Sequence, residues 1–193
     1  MAKVGLSKPY FAKYAAENGV VTYSGGSVMG KAVNANIEPE DSDTEFFYAD
    51  NGPAESAAVF NGGTLELEVD RLLAAVVGAI YGITPGSSAT PVGTTIDFSA
   101  NLSIPYVGIG LIAKSIVDNT PQWMAIILPK VQFKIPTFDL QTQGEEIEFS
   151  GNELNATILR DDTANANWQK LGWFSSEADA ETWIKTFLAI SGT

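Results

Sequence analysis

"TLELEVDRLLAAVVGAIYG", residues 64–82, changes its period half-way along. Up to Val69 the residues alternate. Leu65, Leu67 and Val69 fall on one face and Thr64, Glu66 and Glu68 on the other, as in a strand with one buried and one wet side. From Asp70 onward, Leu72, Leu73, Val76, Val77 and Ile80 recur at helical spacing. Asp70 is placed to cap that helix and Gly82 to stop it. A strand carrying carboxylates on its solvent face, followed at once by a short apolar helix, sets a mixed but strand-led architecture.

Working outward, "KAVNANIEPE" (31–40) alternates Ala32, Asn34 and Asn36 against Val33, Ala35 and Ile37 and ends at Pro39, so it reads as a strand. "TEFFYAD" (44–50) is a second strand, closed by an Asn51-Gly52-Pro53 turn. Its three consecutive aromatics are apolar on both faces. Phe46 and Tyr48 can fill the domain's own core, and Phe47 then needs the helix at 70–82 or a neighbouring subunit. Downstream, "ITPGSSATPVGTT" (83–95) reads as a long loop. Residues 96–113 and 122–140 read as strands broken by prolines, hence edges or bends rather than central ladders. Residues 145–159 suggest a further pair of strands. A last helix spans 176–190, with Ser176 as cap, Asp179 three residues on, and Trp183, Ile184, Phe187 and Leu188 facing one way. The expectation is a single mainly-β domain over 1–193, sandwich or barrel, with two helices.

Charge is divided unevenly. The formal net charge is -12, and residues 32–70 hold ten acids and no Lys or Arg. Residues 72–113 hold a single charged side chain, Asp97, which suggests burial in the core or against another subunit. A chain this acidic repels phosphates rather than gripping nucleic acid through a basic groove. With no cysteine and no histidine, disulfides, thiolate or His-zinc sites and Ser-His or Cys-His catalysis are excluded. No cofactor is indicated, and no enzymatic activity is expected. The first 19 residues lack the apolar run of a signal peptide and no stretch suits a membrane span, so a soluble protein made in the cytoplasm is expected.

Three motifs suggest chemistry and fail on context. "GGSVMGKA" (25–32) fits G-x-x-x-x-G-K, but Ala32 stands where a phosphate-binding loop needs Ser or Thr, and a strand follows instead of a helix. "GIGLIA" (108–113) fits a dinucleotide-binding pattern without the acid some 20 residues on, and reads as a glycine-softened strand or bend. The pairs Asp41/Asp43 and Asp161/Asp162 are too common in loops to carry a cation site by spacing alone. Trp168, Trp173 and Trp183 near acids raise a carbohydrate-binding or hydrolytic β-sandwich as a minor alternative, although Trp183 belongs to the apolar face of the last helix.

One longer pattern is more specific. "VNANIEPEDSDTEFFYADNGPAESAAVFNGGTLELEVDRLLAAVVG" (33–78), then "IPYVGIGLI" (104–112) and "AIILPKVQFKIPTFDLQTQGEEIEFSG" (125–151), resemble the major tail (tail tube) proteins of long-tailed phages and prophages of Gram-positive bacteria. The likeness runs over about residues 4 to 160. It implies a β-sandwich or barrel of the tail-tube type, with a flanking helix, an N-terminal arm and loop at 1–30 and a C-terminal helix at 175–193. It further implies hexameric rings stacked into a hollow tube in the virion tail. Its partners would be the tape measure, tail terminator and distal tail proteins, and DNA would pass through without specific binding. A tube subunit of a phage-derived tailocin or secretion device fits the same residues. In such an assembly Glu66 and Glu68 are candidate lumen-facing acids, and Phe47, Ile83, Pro85 and Pro91 are candidate subunit contacts.

Overall fold

The structure is a computed structural model. It describes the backbone of residues 2–41, 45–49, 52–57, 60–117, 120–137 and 151–191, and side chains at 5–40, 60–116, 120–137 and 151–191. Among these residues the chain is mainly β, with strands β1 (Ala2–Glu17), β2 (Val20–Val28), β3 (Ala32–Asp41), β4 (Glu45–Ala49), β5 (Gly52–Ala57) and β6 (Phe60–Val69). Helix α1 (Ala74–Tyr81) follows. Then come β7 (Gly86–Ala89), β8 (Val92–Thr95), β9 (Tyr106–Val117), β10 (Thr120–Phe133), β11 (Asn152–Leu159), β12 (Lys170–Phe174) and helix α2 (Glu177–Phe187). The main sheet is antiparallel in the order β2-β1-β9-β10-β11-β6-β3, with β12 added to β10; β4 pairs with β5, and β7 with β8.

The alternation in β6 is realised: Leu65, Leu67 and Val69 are fully buried while Glu66 is exposed. Burying each such aliphatic side chain is worth about 1.5–3 kcal/mol. These three share one core with Phe11 of β1, Ile109 and Leu111 of β9, Leu128 and Val131 of β10, and Leu154 and Ile158 of β11. Strands β1 and β6 are four ladder steps apart, which is roughly 19 Å in a flat sheet at about 4.8 Å per step. Side chains that distant meet in one core only because the sheet curls, and α1 closes the mouth with Val76, Ile80 and Tyr81.

Helix α1 starts later than its spacing suggests. Its N-cap is Leu73, 58% exposed and with no side-chain capping bond. Asp70 is engaged elsewhere: its carboxylate accepts from the Lys31 amide at 2.7 Å and its own amide donates to the Lys31 carbonyl at 2.9 Å. A partner 39 residues away outcompetes the local cap. The stop is as expected, since Gly82 adopts φ 71°, ψ 25°, the left-handed conformation that favours glycine.

Three further expectations are corrected. Residues 2–28 are not an arm and loop but β1 and β2, the former a central neighbour of β9. The stretch 83–95 contains the β7–β8 hairpin. The proline-broken strands β9 and β10 are the middle of the sheet. Their prolines fall at strand starts or at a shift of register. Pro105 precedes β9, Pro121 lies near the start of β10, and Pro129 falls at the register shift between Leu128 and Val131. At Pro129 strand β10 also changes partner, from β12 over Trp123–Ile127 to β11 over Lys130–Phe133. The Pro129 carbonyl, freed from the ladder, accepts the Tyr23 hydroxyl at 2.9 Å.

Strands β9 and β10 are apolar on both faces, and α2 covers the second one. Tyr10, Ala12, Ile112, Ala125 and Ile127 form a separate cluster with Ala180, Ile184 and Leu188 of α2. The helix lies close because the sheet beneath it is floored by small residues. A Cβ on Gly108 would meet Leu188 Cδ2 at 2.7 Å, one on Gly26 would meet Ile190 Cγ1 at 2.5 Å, and one on Gly110 would overlap Ile184. Gly26 of one nucleotide-like motif and Gly108 and Gly110 of the other therefore serve packing, and Gly108 and Gly110 lie inside a regular strand. Ser176 caps α2, its Oγ accepting from the Asp179 amide at 3.1 Å. On the rim, Glu181 accepts from Lys8 Nζ (2.5 Å), Tyr10 Oη (2.7 Å) and Lys185 Nζ (2.8 Å).

Two predictions follow from this layer. Gly110→Ala should cost about 1–3 kcal/mol in urea unfolding, as overpacked cores do, and Ile184→Ala in the same chain should recover part of it; additive losses would show that the helix does not seat there. The Lys185 and Lys8 ammoniums and the Tyr10 hydroxyl hold the Glu181 carboxyl at about 2, below its ordinary 4.5. A depressed carboxyl stabilises the fold above its unfolded value, so this contribution should be full above pH 4.5 and fade as pH falls towards 2. Stability curves of Glu181→Gln should be flatter than wild type across that window.

Candidate functional site: an acidic sheet face

Strands β3, β6 and β11 lie side by side, and the face they turn away from the core is mainly polar. Their register aligns Asn34 with Glu68 and Glu153, Asn36 with Glu66 and Asn155, and Glu38 with Thr64 and Thr157. Glu40, on the same face of β3, sits beyond them opposite Gly62. Glu38, Glu40, Glu66 and Glu153 are exposed, and Glu68 is half-buried beneath Gly151. None of the three strands carries a Lys or Arg. The asparagines act as the local donors: Asn36 Nδ2 donates to Glu38 at 2.8 Å and Asn155 Nδ2 to Glu153 at 3.2 Å.

Like charges directly opposite on a sheet are destabilising, and Glu68 and Glu153 are such partners. A chain selected for stability alone would place a Lys or Thr there. Besides the Thr64 and Thr157 hydroxyls and the asparagine amides, the polar groups of the face are its carboxylates, and among the described residues no group of three or more His, Cys, Asp or Glu is placed to hold a metal ion. Its capacity is electrostatic. It repels phosphates and other anions and weakly attracts cations, over three adjacent strands.

Asp161 and Asp162 are both engaged within the fold. Asp161 is buried and accepts from Thr163 Oγ1 (2.7 Å) and the Asn167 amide (2.9 Å), organising its own turn. Asp162 turns away to Lys130 Nζ (2.7 Å) and Tyr14 Oη (2.6 Å), which hold its carboxyl below the ordinary range. Lys130 in turn lies over the rings of Tyr106 (4.6 Å) and Tyr14 (5.3 Å). Burial first, and then Asp162, push the Tyr14 hydroxyl up to about 12. Adjacent in sequence, Asp161 and Asp162 thus share no site, whereas Asp43 and the Asp41 side chain lie outside the described residues.

Of the other candidates, Phe47 stands in β4, and its side chain lies outside the described residues. Ile83 is half-buried against the main core and Pro85 packs over Gly78 of α1, while Pro91 is exposed at the tip of the β7–β8 hairpin. Trp168 stacks flat on Phe60 (centroids 4.6 Å, planes 6° apart) and Trp183 tilts against Phe174, so of the three tryptophans only Trp173, at 54% exposure, faces solvent. No helix among the described residues is long and apolar enough to cross a membrane. Comparison with protein-family models and with curated proteins finds no match to this chain.

The sequence marked Glu66 and Glu68 but not Glu38, Glu40 or Glu153 as their neighbours. The alternation in "NANIEPE" was signal enough for β3; the addition of β11 depends on pairing that no local pattern encodes. If the face is a stability cost retained for its field, Glu153→Gln should stabilise the protein by about 0.2–1 kcal/mol at low ionic strength, with the gain shrinking as salt is added. A loss of stability on that substitution would mean that the carboxylates are structurally paired.

Proposed function

We propose that this chain is a virion structural protein whose subunits assemble into stacked hexameric rings and form the tail tube of a long-tailed phage, with the β3-β6-β11 face lining the lumen. The observation that carries the proposal is the base-free acidic face itself. A conduit for DNA must not hold on to phosphates, because binding strengthens with each Lys or Arg contact, and this face offers none. It lies on regular strands backed by a continuous core, so its charge is held in place rather than on loops. The tape measure protein would occupy the lumen during assembly, and DNA would follow without specific binding.

The absence of His and Cys suits a structural role. So does the exposed, uncharged stretch 89–95, since interface cores are depleted of charged residues. Strands β2 and β3 close the two ends of the main sheet among the described residues, leaving backbone groups on each edge available to a neighbour.

Negative-stain micrographs of the purified protein should show rings or tubes. A protein that stays monomeric at high concentration, including in the presence of its tape measure protein, overturns the proposal. Reversing both Glu66→Lys and Glu68→Lys should leave tubes intact and slow DNA ejection; intact tubes with unchanged ejection kinetics would remove these acids from the lumen.

A further inference from the structure

The chain contains three Asn-Gly pairs, at 18–19, 51–52 and 61–62. An asparagine side chain can be attacked by the amide nitrogen that follows it, and glycine, having no Cβ, obstructs that approach least. Asn51 lies outside the described residues. The fold sets the other two asparagines in opposite situations.

Asn18 and Gly19 form the two-residue turn between β1 and β2. Both have positive φ, 51° and 77°, as an Asn-Gly hairpin turn requires. The ladder closes at the Glu17–Val20 pair, so both turn residues lie beyond its last rung. They are exposed, as are Glu17 and Val20 on either side. A Cβ on Gly19 would meet only the Asp162 carbonyl, at 3.7 Å, so the reacting atoms are uncrowded. The end of a hairpin opens at little cost.

Asn61 is exposed too, but Gly62 behind it is buried and paired with Glu40 of β3. The next residue, Gly63, is held from both sides, by Pro39 of β3 and Ile158 of β11. Bending that backbone into a ring requires the ladder between three strands to open first.

We infer that Asn18 is a site of spontaneous modification, at which the β1–β2 turn converts to aspartate and isoaspartate as the protein ages. The Gly19 nitrogen, its proton taken by hydroxide, bonds to Asn18 Cγ. The bond from Cγ to the side-chain nitrogen breaks, and that nitrogen takes a proton from water and leaves as ammonia. Water then opens the resulting succinimide at either carbonyl. One opening gives aspartate. The other routes the main chain through the Asn18 Cβ and lengthens the turn by one backbone atom. Neither an oxidant nor a metal is consumed.

Aspartate tolerates the left-handed conformation as asparagine does, so that product fits the existing turn. Isoaspartate does not match a two-residue turn, and it disturbs the Glu17–Val20 closure and the approach of the turn to Asp162. Each event also adds one negative charge beside Glu17. The chemistry belongs to the single folded chain and is independent of any assembly.

Purified protein held at mildly alkaline pH should gain a more acidic species on anion exchange. It should also accept methyl label from a protein isoaspartate methyltransferase, and peptide mass spectrometry should place both changes at Asn18. Native Asn61 should convert more slowly by about tenfold or more, because it waits on opening of the ladder. In urea, where no ladder exists, the two sites should convert alike. Asn18→Gln, whose longer side chain cyclises far more slowly, should lose the label from that peptide with the circular dichroism unchanged. Native Asn18 that stays intact, or that converts no faster than native Asn61, overturns the inference. So does label that persists undiminished in that peptide of Asn18→Gln.

Discussion

The structure depends on one constraint: strands β9 and β10 are apolar on both faces, so the sheet at its centre must be covered twice. On one side the sheet meets this demand by curling until β1 and β6 share a core. On the other it requires α2. That helix can approach only where side chains are absent, and Gly26, Gly108 and Gly110, with Ala12 and Ala125, form that floor. The closeness of approach follows from steric exclusion, and the orientation from the charges on the rim. Lys8 and Tyr10 reach Glu181 from the strand side, while Lys185 steadies the same carboxylate from within the helix.

The three strands remote from α2 have a different economy. Once β3, β6 and β11 have turned Leu65, Leu67, Leu154 and Ile158 inward, the opposite face is free of packing duties and can carry whatever electrostatics function requires. It carries glutamates in adjacent rows with asparagine amides between them. The amides supply donors without supplying positive charge, which keeps the carboxylates oriented and the field negative.

Much of this was legible in the sequence, and what was not fails for identifiable reasons. Strand β6 and helix α2 declare themselves because alternation, a Ser cap and a helical stripe are local signals that the tertiary fold leaves standing. Strand β1 was missed because Lys8, in a left-handed conformation at φ 47°, and Pro9 break its alternation where the register shifts. Strands β9 and β10 were demoted on account of prolines whose positions, at ends and at one bulge, only the pairing reveals. The hairpin β7–β8 is built from Gly, Ser and Thr, so no apolar period marked it. Asp70 had the right identity for a cap and a better partner in Lys31, and Glu66 and Glu68 were visible while the strands that complete their surface were not.

The two apolar clusters have no buried residue in common. They communicate only through the backbone of the strands they sandwich, and Pro129 marks the point at which β10 passes from the β12 side to the β11 side. Substitutions in one layer are therefore felt in the other as small changes of strand path rather than as lost contacts. Such a division lets side chains beneath α2 be changed without touching the side chains that hold the acidic face in place.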